Sequence, residues 1–400
     1  MMRKKILFSY YSMDIGGSTT SLLSLMNNLN PEKYDMYLIL YRNTGALLPY
    51  IPKHVTVLEP AVKEKNVWQN IKKMCRILFS STLYKGLFYQ IKHKEKKYPV
   101  TLFSEMQAKY LSRKINMKFD VAIGGMEGWS DKYIAYRVDA DIKMAWFHSL
   151  FSKISETPKL ERDWIERITY IVNISKACEY DFLNCLPQYS EKCIIIKNML
   201  SQQLVSERAD EIIQDKEYEE WKKYKGFKVI TVARLDPAKA LYRVIKCAII
   251  LKEKKYDFKW MIIGDGGEKE TLQQMVIENN LEQHVLLVGA KMNPYPFMKE
   301  SKVFCLTSHY EGTPVTVKES MMLGVIPVVT RYKSVTDQID NRRTGIVVEN
   351  EDTTVADALC ELYNCEELQN EIRNQLINMI FDEKATMHCV DEILKNNRKG

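Results

Sequence analysis

The amino-acid sequence predicts an α/β protein built from two doubly wound domains, each with a parallel sheet. Short apolar runs alternate with helix-like segments along the chain, which is typical of parallel strands joined by helices. The alternation stops in a charged stretch at residues 201–227 and then starts again. A length of 400 residues also suits two domains better than one hydrophobic core.

The first domain is expected at residues 1–200. Its strand candidates are the runs KKILFSYY, YDMYLILY, HVTVLE, FDVAIGG, IKMAWFH, ERITYIVNIS and CIIIKNML. After the first run, four apolar residues recur at helical spacing, namely Leu22, Leu25, Met26 and Leu29. Pro31 ends the helix that this spacing predicts.

The second domain is expected at residues 201–382, and a last helix at residues 383–400 is expected to pack back on the first domain. The strand candidates here are FKVITV, KWMIIGDGG, HVLLVGA, KVFCLTS and VIPVVT. Ligands of open parallel sheets bind beyond the carboxyl ends of the strands. The loops that follow these runs are therefore where we expect chemistry.

The composition excludes several classes of protein. Apolar residues make up 46% and charged residues 27%, as in an ordinary globular chain. No apolar stretch approaches the ~20 residues that span a bilayer, and the start MMRKKILFSYYS predicts a strand, not a signal peptide. Nine scattered cysteines form no C-x-x-C pair, so neither a zinc site nor a redox motif is indicated. The odd count favours a reducing cytoplasm.

Charge is distributed unevenly between the two halves. Residues 1–200 have a net charge of +11 and residues 201–400 a net charge of −4. Residues 63–97 contain ten Lys/Arg against two Glu, interleaved with apolar side chains. This composition fits a segment lying on an anionic membrane surface, and equally a solvated helix pair covering the sheet. Nucleic acid is a poorer partner, because no binding motif is present.

The motif ITVARLDPAK predicts a strand, a loop and the start of a helix. Asp236 is a suitable N-cap and Pro237 a suitable first helical residue. Arg234 then lies just beyond the strand and Lys239 in the first helical turn, so both cations are expected to converge on a helix N-terminus that favours an anion. The alternative interpretation is a pair of solvated surface cations.

The motif SHYEGTPVTVKESMMLG predicts a second loop and helix. Thr313 is a candidate cap, Pro314 a helix start and Gly324 a helix end. The alternative interpretation is an ordinary capped amphipathic helix whose Glu319 is exposed.

Two carboxylates belong to this second motif. Glu311 precedes the helix and Glu319 lies about two turns into it, so they could bind two sets of hydroxyl groups on one ligand. The free N–H groups of Val315 and Thr316 could bind a phosphate between them.

Taken together, these motifs resemble glycosyltransferase family 4, whose members have the GT-B fold of two facing Rossmann-like domains with a cleft between them. The resemblance rests on ARLDPAKAL, IIGDGGEKETL, NPYPFMKESKVFCLTSHYEGTPVTVKESMMLGVIPVVT and GIVV. Glu311 and Glu319 fit the family's E-x7-E motif. The resemblance implies a retaining enzyme of the bacterial surface-polysaccharide type, with an acceptor-binding N-terminal domain and a donor-binding C-terminal domain.

The resemblance also implies roles for single residues. Arg234 and Lys239 would neutralise the donor diphosphate, Glu319 would bind the ribose hydroxyls, and Glu311 would hold hydroxyls of the transferred sugar. The base would pack and hydrogen-bond near Gly264, Lys291 and Met292. Thr313, Val315 and Thr316 belong to the same predicted donor site. Pro314 stands where many members have glycine, so one backbone donor is missing.

In the first domain the loop DIGGSTT follows the first strand. Its glycines, Gly16 and Gly17, allow close backbone approach to a ligand, and Ser18 or Thr19 could cap the next helix. The loop lacks the third glycine of a dinucleotide-binding fingerprint. In family 4 the corresponding loop faces the diphosphate and sugar.

Three further residues follow strands of the first domain. His148 is in the position of the family histidine that contacts the transferred sugar, although a lone histidine at a strand end is more often structural. Glu127 and Asp131, in GGMEGWSDKY, are candidates for binding the acceptor.

The Asp139-Ala140-Asp141 sequence is not expected to bind metal. It is predicted to lie in a turn before a strand, far in sequence from Arg234 and Lys239. Because those cations neutralise the phosphates, we expect an enzyme that needs no metal and no other cofactor.

The expected function is transfer of a hexose-type sugar from a nucleotide diphosphate sugar to a hydroxyl of a glycan or lipid-linked oligosaccharide. A UDP-linked donor is expected. The expected place is the cytoplasm, at the inner face of the membrane if residues 63–97 bind lipid. A GT-B epimerase or hydrolase, and a non-catalytic sugar-nucleotide-binding partner subunit, remain the alternatives.

Overall fold

The computed structural model describes residues 3–62, 77–93, 99–155, 157–381 and 383–395. These residues form two compact units. The first contains the chain up to Met199 together with the C-terminal segment from Lys384, and the second contains Leu200–Glu383. About half of the basic segment 63–97 lies outside the described residues, which include 77–93 of it.

Within its described residues, the N-terminal unit has a sheet of seven parallel strands. In chain order they are β1 Lys4–Tyr10, β2 Tyr34–Leu40, β3 Val55–Val57, β4 Lys118–Gly124, β5 Asp139–Phe147, β6 Tyr170–Asn173 and β7 Cys193–Ile195. The spatial order is β3-β2-β1-β4-β5-β6-β7, so the direction of winding reverses between β1 and β4. All seven strands coincide with the predicted apolar runs.

Helices cover both faces of this sheet. They are α1 Gly17–Asn28, α2 Ser81–His93, α3 Val100–Met106, α4 Trp129–Arg137, α5 Phe151–Ile154, α6 Arg162–Ile165 and α7 Lys176–Cys185. A π-helical turn at Gln107–Leu111 and 3-10 turns at Leu48–Tyr50, Pro158–Glu161 and Pro187–Lys192 complete the connections. The apolar stripe of α1 is buried on the sheet as predicted.

Two local predictions in this unit are wrong. The first helix has Gly16 at its N-cap and no side-chain cap, so neither Ser18 nor Thr19 has the expected role. Asp139 and Asp141 are the first residues of strand β5, not a turn, because β5 pairs with β4 from Lys118 onward. Asp141 forms an exposed ion pair with Lys118, with 2.6 Å between the charged atoms.

The described residues of the C-terminal unit form a sheet of six parallel strands. They are β8 Phe227–Val232, β9 Phe258–Ile263, β10 Val285–Leu287, β11 Val303–Leu306, β12 Ile326–Thr330 and β13 Ile346–Val348. Their order is β10-β9-β8-β11-β12-β13, with the reversal between β8 and β11. Two parallel-sheet, Rossmann-like units confirm the predicted α/β fold class.

Eight helices, counted within the described part of the chain, precede, connect or follow the strands of this second sheet. They are α8 Gln202–Ala209, α9 Lys216–Lys223, α10 Tyr242–Glu253, α11 Lys269–Glu278, α12 Tyr295–Lys299, α13 Val315–Met322, α14 Thr354–Asn364 and α15 Glu366–Ile377. Pro237–Lys239 and Val335–Asp337 are 3-10 turns. The charged stretch 201–227, where the predicted alternation stops, contains helices α8 and α9. Ser201 and Asp215 cap these helices through their side chains.

The C-terminal helix α16, Glu383–Lys395, packs within the N-terminal unit from Lys384 onward. Val390 and Leu394 are buried in the apolar cluster beneath α1. The Tyr34 hydroxyl donates to Asp391 Oδ1 at 3.0 Å. In the part of the chain that the structure describes, no helix is both long and apolar enough to cross a membrane.

A buried ion pair ties the helices of the N-terminal unit together. Lys132 on α4 and Glu161 before α6 are 3.1 Å apart, and both side chains are almost wholly buried. Lys132 Nζ also donates to the carbonyl and hydroxyl oxygens of Thr101 on α3, each at 2.9 Å. Burial alone would raise the pKa of Glu161, but Lys132 and the hydrogen bonds from Thr101 and Trp164 lower it overall.

We expect Lys132→Met to destabilise the protein by about 3–5 kcal/mol, because it leaves a buried carboxylate without its cation. Lys118→Met, which breaks the exposed pair with Asp141, is the matched control and should cost only about 0–1 kcal/mol. Urea unfolding of the full chain measures both. The double variant Lys132→Met/Glu161→Gln should recover part of the loss, and equal effects of the two single variants would contradict this account of the pair.

Candidate donor-binding site

The carboxyl ends of β8 and β11 carry the polar residues of the C-terminal unit that the sequence singled out. The order of strands reverses between these two neighbours, and ligands of parallel sheets bind at such a reversal. The loop after β8 contains Arg234 and Lys239, and the loop after β11 contains Glu311. The two loops are joined by hydrogen bonds, among them His309 N to the Ala238 carbonyl at 2.8 Å.

Lys239 and Glu311 are in direct contact. Lys239 Nζ donates to Glu311 Oε1 at 2.6 Å, and both side chains are largely buried, with 17% and 10% exposure. The Ser308 hydroxyl donates to the same oxygen at 2.6 Å. Lys239 is therefore not the solvated surface cation of the alternative interpretation.

Arg234 has a different carboxylate as its partner. Its side chain is 77% exposed, and Nη2 lies 3.2 Å from Asp236 Oδ2. Asp236 also caps the following turn by accepting from Ala238 N. We expected one continuous helix to begin at Asp236 and Pro237, and this prediction is wrong. Lys239 ends a separate 3-10 turn, because Ala240 adopts a left-handed conformation with φ 48° and helix α10 begins only at Tyr242.

The N-terminus of α13 has no side-chain cap. Pro314 is at the N-cap and no side chain caps the helix, so the predicted capping role of Thr313 is wrong. Among the described residues the buried Thr313 hydroxyl has no hydrogen-bond partner. The N–H groups of Val315 and Thr316 lie in the first turn, where a helix supplies no acceptor. Gly324, with φ 68°, ends the helix as predicted.

Glu319 is buried inside the unit, so the exposed glutamate of the alternative interpretation is wrong. It is 4% exposed and accepts a hydrogen bond from the Tyr295 hydroxyl at 2.8 Å. Burial raises the pKa of Glu319 to about 7, while Tyr295 and the Arg208 guanidinium lower it in part. A carboxyl group in these surroundings can change its charge near neutral pH.

Gly264 allows two loops to pack together at the carboxyl edge of the sheet. Its φ is +156°, and a Cβ atom there would lie 1.8 Å from the Ala233 carbonyl oxygen, next to Arg234. Its N–H donates to the Gly289 carbonyl at 3.0 Å. The predicted packing position is thus a close backbone approach.

The stretch that contains Lys291 and Met292 is held by the helices before β8. Lys291 Nζ lies 2.6 Å from Asp215 Oδ2 and 3.4 Å from Glu217 Oε2. The Met292 carbonyl accepts from Arg208 Nη2 at 2.9 Å, and the Met292 side chain is partly exposed. The Lys291 ammonium is therefore engaged within the protein, and the backbone and Met292 side chain are what this stretch offers a ligand.

In the N-terminal unit, Gly16 and Gly17 follow β1 at the equivalent reversal of strand order. A Cβ atom at Gly16 would meet nothing within 4 Å, so the loop is open at this point. Ser18 Oγ accepts from the Tyr10 hydroxyl at 2.7 Å, which anchors the first turn of α1 to the end of β1.

His148 directly follows β5, and both of its ring nitrogens are engaged within the N-terminal unit. Nε2 lies 3.0 Å from the Gly125 carbonyl oxygen and Nδ1 lies 3.1 Å from the Asn198 side chain. The Gly125 carbonyl oxygen and Asn198 Oδ1 are both acceptors, so a neutral ring can donate to only one of them. Burial lowers the pKa of His148, which makes the ring neutral at pH 7. The arrangement fits a structural histidine as well as a sugar contact.

The two acceptor candidates have different surroundings. Glu127 Oε1 accepts from the backbone N–H groups of His148 and Ser149, at 2.5 and 2.6 Å, so it anchors the loop after β5. Asp131 lies in the first turn of α4 and is wholly buried against Gly124. Burial raises the pKa of Asp131 well above its usual range. A wholly buried side chain does not fit a residue that contacts an acceptor.

The sequence interpretation missed Arg208, Tyr295 and Asn198, which contact predicted site residues. The NPYPF run was noticed, but its tyrosine carried no polar pattern that pointed to Glu319. No group of three or more potential metal-ligating side chains occurs among the described residues. Independence of metal stays a prediction.

Comparison with known proteins adds a family match for the C-terminal unit. Residues 209–379 match the family model described as Glycosyl transferases group 1. A poly(ribitol-phosphate) alpha-N-acetylglucosaminyltransferase of Staphylococcus aureus is 27% identical over 167 residues, which is 41% of this chain and 34% of that protein. The Campylobacter jejuni N-acetylgalactosamine-N,N'-diacetylbacillosaminyl-diphospho-undecaprenol 4-alpha-N-acetylgalactosaminyltransferase is 32% identical over 144 residues, 36% of each chain. The chain thus matches about a third of the length of these relatives.

Solved structures resemble the chain over nearly its whole length. Anabaena Alr3699/HepE, in a complex with UDP-glucose, has a TM-score of 0.71 at 14% identity, covering 98% of this chain and 99% of that one. At this identity the likeness concerns the fold, which is that of GT-B glycosyltransferases. The expected class, a glycosyltransferase enzyme, is confirmed for the segment that the family model matches.

We expect Gly264→Ala to lower stability by more than about 1 kcal/mol, because φ is positive and the new Cβ would collide with the Ala233 carbonyl. Gly267→Ala, in the same loop with nothing within 4 Å of the added atom, is the control and should be close to wild type. Thermal unfolding with and without UDP measures stability and nucleotide binding together. A wild-type result for Gly264→Ala would refute the close approach.

Proposed function

We propose that this protein is a retaining glycosyltransferase that moves a hexose-type sugar from a UDP-linked donor to a hydroxyl of a glycan or lipid-linked oligosaccharide. One observation carries the proposal. At the reversal between β8 and β11, Lys239 and Glu311 are paired a few residues ahead of the uncapped N-terminus of α13. This edge therefore presents a cation, a carboxylate and free N–H groups to one ligand.

In this proposal the donor diphosphate is bound by Lys239, Arg234 and the N–H groups of Val315 and Thr316. The diphosphate replaces Glu311 as the partner of Lys239, and Glu311 becomes free to accept from hydroxyls of the transferred sugar. Glu319, further along the same helix, accepts from the ribose hydroxyls. The roles follow the family resemblance, and the Lys239–Glu311 ion pair supports them by placing both partners at one point.

The catalytic contribution is mainly electrostatic. The bond between the anomeric carbon and the phosphate oxygen breaks, and its electron pair passes to the leaving diphosphate, which the cations and helix N–H groups stabilise. The acceptor oxygen attacks the same face of the sugar and transfers its proton to the leaving phosphate. Glu311 is assigned to the hydroxyls of the transferred sugar, and no carboxylate is assigned as a nucleophile in this proposal. Retention by front-face attack follows the family resemblance.

The relatives are consistent with such a donor and acceptor. The Anabaena structure contains UDP-glucose, and the Staphylococcus and Campylobacter relatives are named for transfer of N-acetylhexosamines in alpha linkage to polymeric or diphospho-undecaprenol-linked acceptors. An epimerase or hydrolase on the same fold, and a non-catalytic nucleotide-sugar-binding subunit, are the rival functions.

We expect Lys239→Ala and Arg234→Ala each to reduce turnover by roughly 100-fold, the scale of a lost charged transition-state contact. UDP release from UDP-glucose, UDP-N-acetylglucosamine and UDP-N-acetylgalactosamine is the assay, with a radiolabelled sugar to follow transfer. Lys299→Ala is the matched control, since Lys299 pairs with Asp210 at the amino edge of the sheet.

Near-normal rates in both variants would refute the donor site. Release of free labelled sugar in the absence of acceptor would indicate a hydrolase. Formation of an epimeric nucleotide sugar would indicate an epimerase, and the absence of turnover would indicate a binding subunit.

Wild-type turnover should persist in excess EDTA, because protein cations neutralise the phosphates. A strict need for Mn²⁺ or Mg²⁺ would instead indicate Asp139 and Asp141 as metal ligands.

We further propose that the N-terminal unit binds the anionic inner face of a bacterial-type membrane. Helix α2 exposes an apolar stripe at i, i+3, i+4 and i+7, formed by Tyr84, Leu87, Phe88 and Ile91, with Phe88 67% and Ile91 79% exposed. Phe79, Val100 and Phe103 are exposed on either side of the stripe in sequence. An amphipathic helix that turns its apolar side to solvent supports a lipid surface as its partner.

We expect vesicle flotation to show binding that requires anionic lipid and weakens as salt rises, because Lys/Arg near the surface contribute about 1 kcal/mol each. The double variant Phe88→Ser/Ile91→Ser should weaken binding. Replacement of Lys72, Lys73 and Arg76 by Glu should also weaken it. Ile212→Ser/Ile380→Ser removes two exposed isoleucines of the C-terminal unit and is the control. A wild-type chain that stays unbound at low salt on phosphatidylglycerol vesicles would remove the membrane from the proposal.

A further inference from the structure

Arg208, in the last turn of α8, lies between two parts of the proposed donor site. Its Nη2 donates to the Met292 carbonyl at 2.9 Å. Its guanidinium carbon lies 5.1 Å from the centroid of the Tyr295 ring, within the range of a cation–π contact. One side chain thus contacts the stretch predicted to bind the base and the tyrosine that bonds Glu319.

The side-chain amide of Asn293 connects the end of α8 with the start of α12. Nδ2 donates to the Arg208 carbonyl and to Glu211 Oε2, both at 2.7 Å, and Oδ1 accepts from Tyr295 N at 3.2 Å. Asn293 thus joins the end of α8, where Arg208 lies, to the first residue of α12, Tyr295.

Tyr295 and Glu319 form the buried end of the network. They are 3% and 4% exposed, and the tyrosine hydroxyl donates to Glu319 Oε1 at 2.8 Å. A buried carboxylate is costly unless hydrogen bonds or a nearby cation stabilise it. Tyr295 from α12 and Arg208 from α8 supply both, and they are the charged or titratable groups that influence Glu319 among the described residues.

We propose that Arg208 and Tyr295 are positioning residues of the donor site: they keep the Glu319 carboxylate ionised and oriented toward the ribose hydroxyls, and they link it to the Met292 stretch. The inference rests on the proposed function, because it takes Glu319 as the residue that binds the ribose. In this proposal the segment before β8, which lies outside both sequence motifs, also controls nucleotide affinity.

The network makes nucleotide affinity depend on pH. Burial raises the pKa of Glu319 to about 7, so the carboxylate is lost as the pH falls through this value, and ribose binding weakens below it. Removing the Tyr295 hydroxyl or the Arg208 charge removes an influence that lowers this pKa. The weakening should therefore begin at a higher pH in either variant.

The experiment measures, by calorimetry on the full chain, the affinities for UDP and for 2',3'-dideoxy-UDP between pH 5.5 and 8.5. The two ligands have the same diphosphate, so the ratio of their affinities isolates the ribose contact. In the wild type the preference for UDP should fall about tenfold from pH 8 to pH 6, as a carboxyl group with this pKa becomes protonated.

Tyr295→Phe and Arg208→Met should each move the midpoint of that fall upward by about one pH unit, whereas Arg208→Lys, which keeps the charge, should stay near the wild-type midpoint. Tyr224→Phe is the matched control, because the Tyr224 hydroxyl donates to Asp257 Oδ1 at 2.6 Å at the amino edge of the sheet. Arg343→Met, which breaks an exposed pair with Asp340, is the control for the arginine.

The possible outcomes distinguish the proposed function from the positioning role of Arg208 and Tyr295. If the wild type does not bind UDP, or binds both ligands equally at every pH, the proposed ribose contact of Glu319 fails and the donor site with it. If the wild type prefers UDP but Tyr295→Phe and Arg208→Met keep the wild-type pH profile, the positioning role is overturned and the proposed function stands. A loss of affinity that is the same at every pH would indicate a purely structural role and would likewise overturn the inference.

Discussion

The parallel pairing of β8 with β11, at the point where strand order reverses, is the constraint on which the candidate site depends. Two chain segments about 70 residues apart end side by side there, and their loops are hydrogen-bonded to each other. Thr307 Oγ1 donates to the Lys239 carbonyl at 2.9 Å. This register brings the Lys239 ammonium to Glu311, because a parallel sheet places the carboxyl ends of neighbouring strands at one edge.

A second constraint comes from burying Glu319. An acidic group inside the unit must be stabilised by its neighbours, and Tyr295 does so through its hydroxyl while Arg208 does so through its charge. Helix α8 thereby becomes part of the framework of the site, although it precedes the first strand of the sheet. The same logic explains Lys291, whose ammonium is satisfied by Asp215 in the stretch between α8 and α9.

The N-terminal unit uses its polar residues to anchor loops at the carboxyl edge. Glu127 accepts two backbone N–H groups after β5, and His148 spans from the Gly125 carbonyl to Asn198. Residues that a sequence motif marks as functional can therefore owe their position to the scaffold. For Asp131 the scaffold interpretation is the one that burial supports.

The sequence by itself determined the fold class and the positions of strands β1 to β12, because a buried parallel strand is a continuous apolar run that can be read without knowing its neighbours. The short β13 was not among its strand candidates. The sequence also singled out the loops that form the candidate site, through Asp236, Glu311 and the glycine that ends α13. Only the tertiary structure decided which polar and charged side chains are in contact. The Lys239–Glu311 and Tyr295–Glu319 contacts join residues 72 and 24 positions apart. Such pairs depend on strand register and burial, and spacing along the chain contains no information on either.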